Sequence, residues 1–244
     1  MKTIGLIGGM SWESTVEYYR LMNEAVRERL GGLHSAKCVL FSVDFAEVAK
    51  LQQQGQWTEA ATLLVNAAQA VEKAGADVVL ICTNTMHKLA DTVQAGIGIP
   101  LLHIADATAE KVKLAGLKRV GLLGTRFTME EDFYRGRLAG QFGLEVVIPN
   151  IEDRETVHRI IYEELCVGLI EPQSKAYLSS IMSRLIEMGA EGIILGCTEL
   201  ALLVGAEDCR VPLFDTTREH TLAAVDHALR SEGPHLTSAL DNWT

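Results

Sequence analysis

The sequence predicts an α/β fold built as two similar parallel-sheet lobes facing each other across a shared cleft. Three observations carry this. Short apolar runs alternate with longer amphipathic stretches, the pattern of βαβ units. Landmarks of the first half recur in the second half at a nearly constant offset. Equivalent strand ends in the two halves carry side chains capable of proton transfer and hydrogen bonding.

The apolar runs read as strands at Thr3 to Ile7, Cys38 to Val43, Val78 to Ile81 and Pro100 to His103 in the first half. In the second half they are Arg119 to Leu123, Leu144 to Ile148, Gly192 to Leu195 and Val211 to Phe214. They are continuous rather than alternating, as expected when helices cover both faces of a sheet. Helical periodicity lies between them at Glu13 to Leu30, Glu59 to Ala74, Ala105 to Ala115, Thr128 to Gln141, Thr156 to Leu165 and Ser174 to Gly189. Open parallel sheets bind ligands beyond the carboxyl ends of their strands, so those ends are where chemistry is expected.

The duplication is read from three matched segments. Ala74-Gly75-Ala76-Asp77-Val78-Val79-Leu80-Ile81 resembles Met188-Gly189-Ala190-Glu191-Gly192-Ile193-Ile194-Leu195, which sets Thr83 and Cys197 114 positions apart. Ile4-Gly5-Leu6-Ile7-Gly8 matches Val120-Gly121-Leu122-Leu123-Gly124 at an offset of 116, and Ile99-Pro100-Leu101 matches Val211-Pro212-Leu213 at 112. The expected division is a first lobe over 1–115, a second over 116–214, a helix over 215–230 returning toward the first lobe, and a flexible tail over 231–244. A twofold duplication differs from a solenoid, which needs three or more short repeats.

Composition removes several functional classes. The 244 residues are 48% hydrophobic and 22% charged, a globular balance. A net charge of −10 repels phosphate backbones and argues against a nucleic-acid partner. No apolar run approaches the roughly 18 residues of a membrane helix. The N-terminal apolar run is too short for a secretory signal, so a cytoplasmic location is expected. The five cysteines, Cys38, Cys82, Cys166, Cys197 and Cys209, show no paired spacing and are expected as free thiols. The histidines show no metal-ligand spacing, and neither a dinucleotide nor a P-loop fingerprint is present.

Four strand-end motifs remain. Cys82-Thr83-Asn84-Thr85-Met86-His87 follows the third strand and Gly196-Cys197-Thr198-Glu199-Leu200 follows its counterpart. The alignment places Thr83 opposite Cys197, Asn84 opposite Thr198 and Thr85 opposite Glu199. A thiol at a strand end can have the partial exposure that reactivity needs. Asn and Thr side chains supply short donors and acceptors for a carboxylate or an ammonium group. The same residues also serve as helix N-caps for purely backbone reasons. Gly8-Gly9-Met10-Ser11-Trp12 and Gly124-Thr125-Arg126-Phe127-Thr128 follow the first strand of each lobe. Both offer backbone N–H groups to an anion at a helix start.

Gly-Gly-Met-Ser, Asn-Thr-x-His and Gly-Cys-Thr-Glu, in this order and with the lobe duplication, resemble the aspartate/glutamate racemase family over Met1 to about Leu229. Hydantoin racemases, maleate isomerases and arylmalonate decarboxylases share that architecture. The resemblance implies an amino-acid racemase working without a cofactor or metal. One group removes the α-proton and a group on the opposite face of Cα delivers a proton there, and preorganised donors stabilise the carbanion. It implies a homodimer with a small amino-acid substrate and no membrane partner. By this resemblance Thr83 and Cys197 are the catalytic pair, and Met10, Gln52, Asn84, Thr85, Thr125, Thr128, Thr198 and Glu199 are substrate-binding residues.

One position departs from the family pattern, which has cysteine immediately before Asn-Thr where this chain has Thr83. Cys82 is one residue too early, and successive strand residues point to opposite faces, so it is expected in the core. The family's second-lobe cysteine acts on the L-enantiomer. The resemblance therefore implies that Cys197 deprotonates L-substrates, that Thr83 serves the opposite face, and that the D-direction is impaired. Two positions where family members carry a cation correspond here to Gln52 and Cys166, which opens the pocket to amino acids beyond aspartate and glutamate. The alternatives are a related isomerase or decarboxylase, and a non-catalytic amino-acid-binding or regulatory protein.

Overall fold

A computed structural model describes residues 1–230; the tail expected over 231–244 lies outside the described residues. The first lobe opens with β1 (Ile4–Gly8), α1 (Trp12–Leu30), β2 (Cys38–Ser42), α2 (Phe45–Gln53), α3 (Trp57–Lys73) and β3 (Val78–Ile81). A 3-10 turn (Thr85–Leu89), α4 (Ala90–Ala95) and α5 (Ile104–Leu114) follow. The second lobe runs through β4 (Arg119–Gly124), α6 (Arg126–Glu130), α7 (Asp132–Phe142), β5 (Glu145–Val147) and α8 (Ile151–Glu163). It continues with a 3-10 turn (Leu165–Val167), α9 (Pro172–Glu187), β6 (Gly192–Gly196), α10 (Leu200–Leu203) and β7 (Leu213–Asp215), and α11 (Thr216–Leu229) closes the described chain.

Each half forms its own parallel sheet. The first has order β2-β1-β3 and the second β5-β4-β6-β7. A single parallel bridge from Val79 to Leu101 stands in the first sheet where β7 stands in the second. The two halves thus share one strand order, with the first strand of each half at its centre. Register puts Gly124 beside Gly196 at the carboxyl ends of β4 and β6. A Cβ on Gly124 would lie 2.7 Å from the Gly196 carbonyl oxygen, so only glycine allows the two strand ends to approach this closely.

The central strands are buried apart from Arg119 at the start of β4, and helices pack on their faces. Ile4, Leu6, Val78 and Leu80 share one cluster with Tyr18 and Met22 of α1 and with Ala224 and Val225 of α11. Leu123, Ile193 and Leu195 pack with Ile160, Ile161, Leu178 and Leu185 in another. Burying each such aliphatic side chain contributes about 1.5–3 kcal/mol, the main force closing each lobe. The α11 helix returns to the first lobe: Lys2 N–H donates to the Ala228 carbonyl at 2.9 Å, and Arg29 pairs with Asp226 at 2.7 Å. No described helix is long and apolar enough to cross a membrane.

Several expectations need correction. Pro100 to His103 is not a strand. Only Leu101 bridges to Val79, and the His103 imidazole already caps α5, accepting from Ala105 N–H at 3.2 Å. The helix expected over Thr128 to Gln141 is two helices separated by Glu131 in extended geometry. Glu130, Glu131 and Asp132 are three successive acids. They disfavour the carbonyl end of one helix and suit the amide end of the next. The α2 helix was absent from the expected alternation; Asp44 caps it by accepting from Ala46 N–H at 3.0 Å. The second strand is also not covered on both faces, since Leu40 is 48% and Phe41 40% exposed at this sheet edge.

Candidate active site

The strand ends of the two sheets face one another, and hydrogen bonds between side chains of the two lobes line the boundary. Cys197 lies just beyond β6 and is 7% exposed. Its thiol donates to Glu199 Oε2 at 2.9 Å, and the Thr198 hydroxyl donates to the same oxygen at 2.8 Å. The other carboxylate oxygen, Oε1, accepts from the Ser11 hydroxyl at 2.9 Å and from Ser11 N–H at 3.2 Å. Glu199 therefore has both oxygens occupied by protein donors, one of them reaching across from the first lobe. Burial pushes the Cys197 thiol well above its ordinary range, and the negative charge of Glu199 pushes it further. The resting sulfur is a neutral thiol in contact with a carboxylate acceptor.

Thr83 follows β3 at the equivalent place and is half-buried. Its carbonyl accepts from His87 Nδ1–H at 2.8 Å. The tautomer follows from the second nitrogen, because His87 Nε2 accepts from Ile104 N–H at 3.2 Å. His87 thus ties the Thr83 peptide to the start of α5. Burial holds this imidazole neutral, aided by the neighbouring His103. Cys82 is fully buried among Ile4, Leu6 and Val78, and burial pushes its thiol up.

A second set of groups joins the lobes by hydroxyls and amides. Thr85 Oγ1 lies 2.9 Å from Thr125 Oγ1, which lies 3.2 Å from Thr128 Oγ1. Thr125 caps α6 by accepting from Thr128 N–H, so this residue turns the chain and also meets the first lobe. Asn84 Nδ2 donates to Thr216 Oγ1 at 3.0 Å, and that hydroxyl donates to the Leu195 carbonyl at 2.8 Å. Asn84 Oδ1 is buried with no partner among the described residues. An unpaired acceptor in this position carries an uncompensated desolvation cost that a ligand N–H would remove.

Gln52 is buried rather than solvated. Its Nε2 donates to Met86 Sδ at 3.0 Å, and its Oε1 accepts from the Tyr162 hydroxyl of the second lobe at 2.8 Å. Burial pushes the Tyr162 hydroxyl up, and the nearby Cys197, Cys166 and Glu199 add to it. Burial likewise raises the Cys166 thiol, followed by the charges of Glu199 and Glu13. Cys166 packs against the apolar cluster that contains Cys197. Met10 is buried in the apolar cluster that contains Ile7, Val48 and Met86.

Ser11, Tyr162 and Thr216 were not selected from sequence. Ser11 had a visible signal, because serine before an amphipathic stretch reads as an N-cap. It does cap α1, accepting from Ser14 N–H, but its partner lies 188 residues away. Tyr162 and Thr216 sit in helical pattern with no local mark.

Across residues 7–224 the chain matches the family model described as Asp/Glu/hydantoin racemase. The crystal structure of a candidate Asp/Glu racemase from Yersinia pestis is 56% identical, with a TM-score of 0.87 covering 94% of this chain and 100% of that one. An aspartate racemase homologue from Pyrococcus horikoshii OT3 is 38% identical, with a TM-score of 0.81 over 93% of this chain and 99% of that one. The broad specificity amino-acid racemase RacX of Bacillus subtilis is 25% identical over 157 residues, 63% of this chain and 66% of that protein.

Proposed function

Because the chain belongs to the Asp/Glu/hydantoin racemase family, we propose that it racemises amino acids without a cofactor, Cys197 removing the Cα proton on one face and Thr83 delivering a proton on the other. The observation that carries this reading is the Cys197 thiol donating to the Glu199 carboxylate at the end of β6, with Thr83 at the end of the equivalent strand β3. Glu199 accepts the thiol proton. The thiolate then takes the Cα proton of the L-enantiomer, and the electron pair passes into the substrate carboxylate as an enolate. The Thr83 hydroxyl delivers a proton to the opposite face, and the proton held by Glu199 returns through water to the Thr83 alkoxide, which restores every group. Threonine lacks the acidity of a thiol, so abstraction from the D-enantiomer is the slower direction.

In this reading the unpaired Asn84 Oδ1 accepts from the substrate ammonium. Thr85, Thr125, Thr128 and Thr198 supply hydroxyls near the carboxylate. Glu199 acts through the thiol. Gln52 presents a neutral amide where a cation would select acidic side chains, so the accepted substrates are aspartate, glutamate or a broader amino-acid set. The division of the chain at 1–115, 116–214 and 215–230 belongs to the same proposal. So does a cytoplasmic homodimer, for which the exposed Trp12, Val16 and Tyr19 along one face of α1 supply an apolar surface.

A cofactor-free screen of L- and D-amino acids tests the reading. Racemisation with faster turnover from the L-side is the expected outcome. Tight amino-acid binding without any racemisation would instead make the protein a binding or regulatory module.

A further inference from the structure

Ser11 has no role in the proton-transfer scheme above, yet its contacts are unusual. It sits at the entrance of α1 in the first lobe and is 2% exposed, as is Glu199 in the second. Its hydroxyl and its N–H both converge on Glu199 Oε1, at 2.9 and 3.2 Å. Ser11 is itself immobilised, because its carbonyl accepts from the Thr15 hydroxyl at 2.7 Å and the Ser14 hydroxyl at 3.1 Å. Thr15 is fixed in turn by Gly9 N–H, which donates to its hydroxyl at 2.9 Å. A chain of buried bonds therefore runs from the end of β1, through the first turn of α1, to the carboxylate that receives the Cys197 thiol.

A glutamate carboxylate rotates broadly about its last torsion. Two donors fixed on one oxygen remove that freedom and leave the other oxygen facing Thr198 and Cys197. Hydrogen bonds to an ionised acceptor are also the stronger kind. We infer that Ser11 is a positioning residue: it locks the Glu199 carboxylate onto the Cys197 thiol across the lobe boundary, so that the proton acceptor is complete only when the two lobes are together. The inference deepens the racemase reading and rests on it for its catalytic meaning. The geometric clamp can be tested without any activity.

The test reads alkylation of Cys197 by iodoacetamide against pH, resolved from the other thiols by peptide mass spectrometry. The Glu199 charge raises the Cys197 thiol, so Glu199→Gln moves the labelling midpoint to lower pH. Ser11→Ala loosens the same carboxylate and moves the midpoint part of the way in the same direction. The double variant matches Glu199→Gln alone, since the two residues act as one unit. Ser11→Thr keeps the hydroxyl and recovers the wild-type midpoint. A wild-type midpoint in Ser11→Ala, or fully additive shifts in the double variant, overturns the clamp. In turnover of the L-substrate, Ser11→Ala lowers kcat by about tenfold with KM changed by no more than about twofold. A raised KM with unchanged kcat would make Ser11 a substrate ligand and overturn its positioning role. If the protein racemises nothing, the labelling series still decides whether the clamp exists.

Discussion

In the proposed scheme position 83 offers a hydroxyl opposite the Cys197 thiol, and the chemistry becomes asymmetric at that single atom. The opposite group, Cys197, has a carboxylate acceptor in contact. The Thr83 backbone carbonyl accepts from His87, a contact that orients the peptide. Restoring a thiol should therefore act on one direction. Thr83→Cys is expected to raise the initial rate from D-substrates by about a hundredfold, within the usual range for a positioned acid or base. The L-direction should change far less. An unchanged D-rate would mean that residue 83 does not face the reacting carbon. The places of residues 83 and 197 after equivalent strands were legible in the sequence because the repeat aligns them. The burial of Gln52 was not, since its partners Met86 and Tyr162 lie 34 and 110 positions away.

Three elements meet at a cluster of buried histidines. His87 belongs to the turn after β3, His103 caps α5, and His220 lies in α11. His220 Nε2–H donates to the Leu102 carbonyl at 2.9 Å, while its Nδ1 accepts from the Tyr18 hydroxyl at 2.9 Å. Burial holds His103 and His220 down to about 3; the Arg137 charge adds to the first and His87 to the second. His87 is held well below its ordinary value as well. In the unfolded chain these imidazoles take up protons below about pH 6.5. The folded form refuses those protons, so the unfolded state is favoured progressively as pH falls from 6.5 toward 3. Tm should therefore be level near pH 7 and should decline between pH 6.5 and 4.5, with net proton uptake on unfolding. A Tm constant down to pH 5 would contradict neutral burial of the cluster. Most elements were legible because apolar periodicity survives in them. Those that were not have local reasons: the acidic run at Glu130 to Asp132 splits a helix, and the chain after the Val79–Leu101 bridge passes straight into the cap of α5.

For the molecule as a whole, duplication supplies two sheets of the same strand order, and side chains at the strand ends and helix starts decide how they meet. Thr85 with Thr125, Asn84 with Thr216, Gln52 with Tyr162 and Ser11 with Glu199 all cross between the halves or onto the returning helix. Trp57 meets Phe127 edge-to-face at 5.4 Å, and Lys88 pairs with Glu131 at 2.6 Å. The internal repeat made the two lobes legible. It also relates two of these contacts, since Thr85 and Glu199 are equivalent positions and each meets the N-cap, Thr125 or Ser11, of the helix after the other lobe's first strand; the Gln52–Tyr162 and Asn84–Thr216 contacts have no such counterpart.

Cα hydrogen exchange in deuterated water, followed separately for each enantiomer with wild type and Cys197→Ala, tests the two-sided proton transfer most directly. The account predicts faster exchange from the L-enantiomer and its loss in Cys197→Ala. Faster exchange from the D-enantiomer, or undiminished exchange in Cys197→Ala, would contradict it.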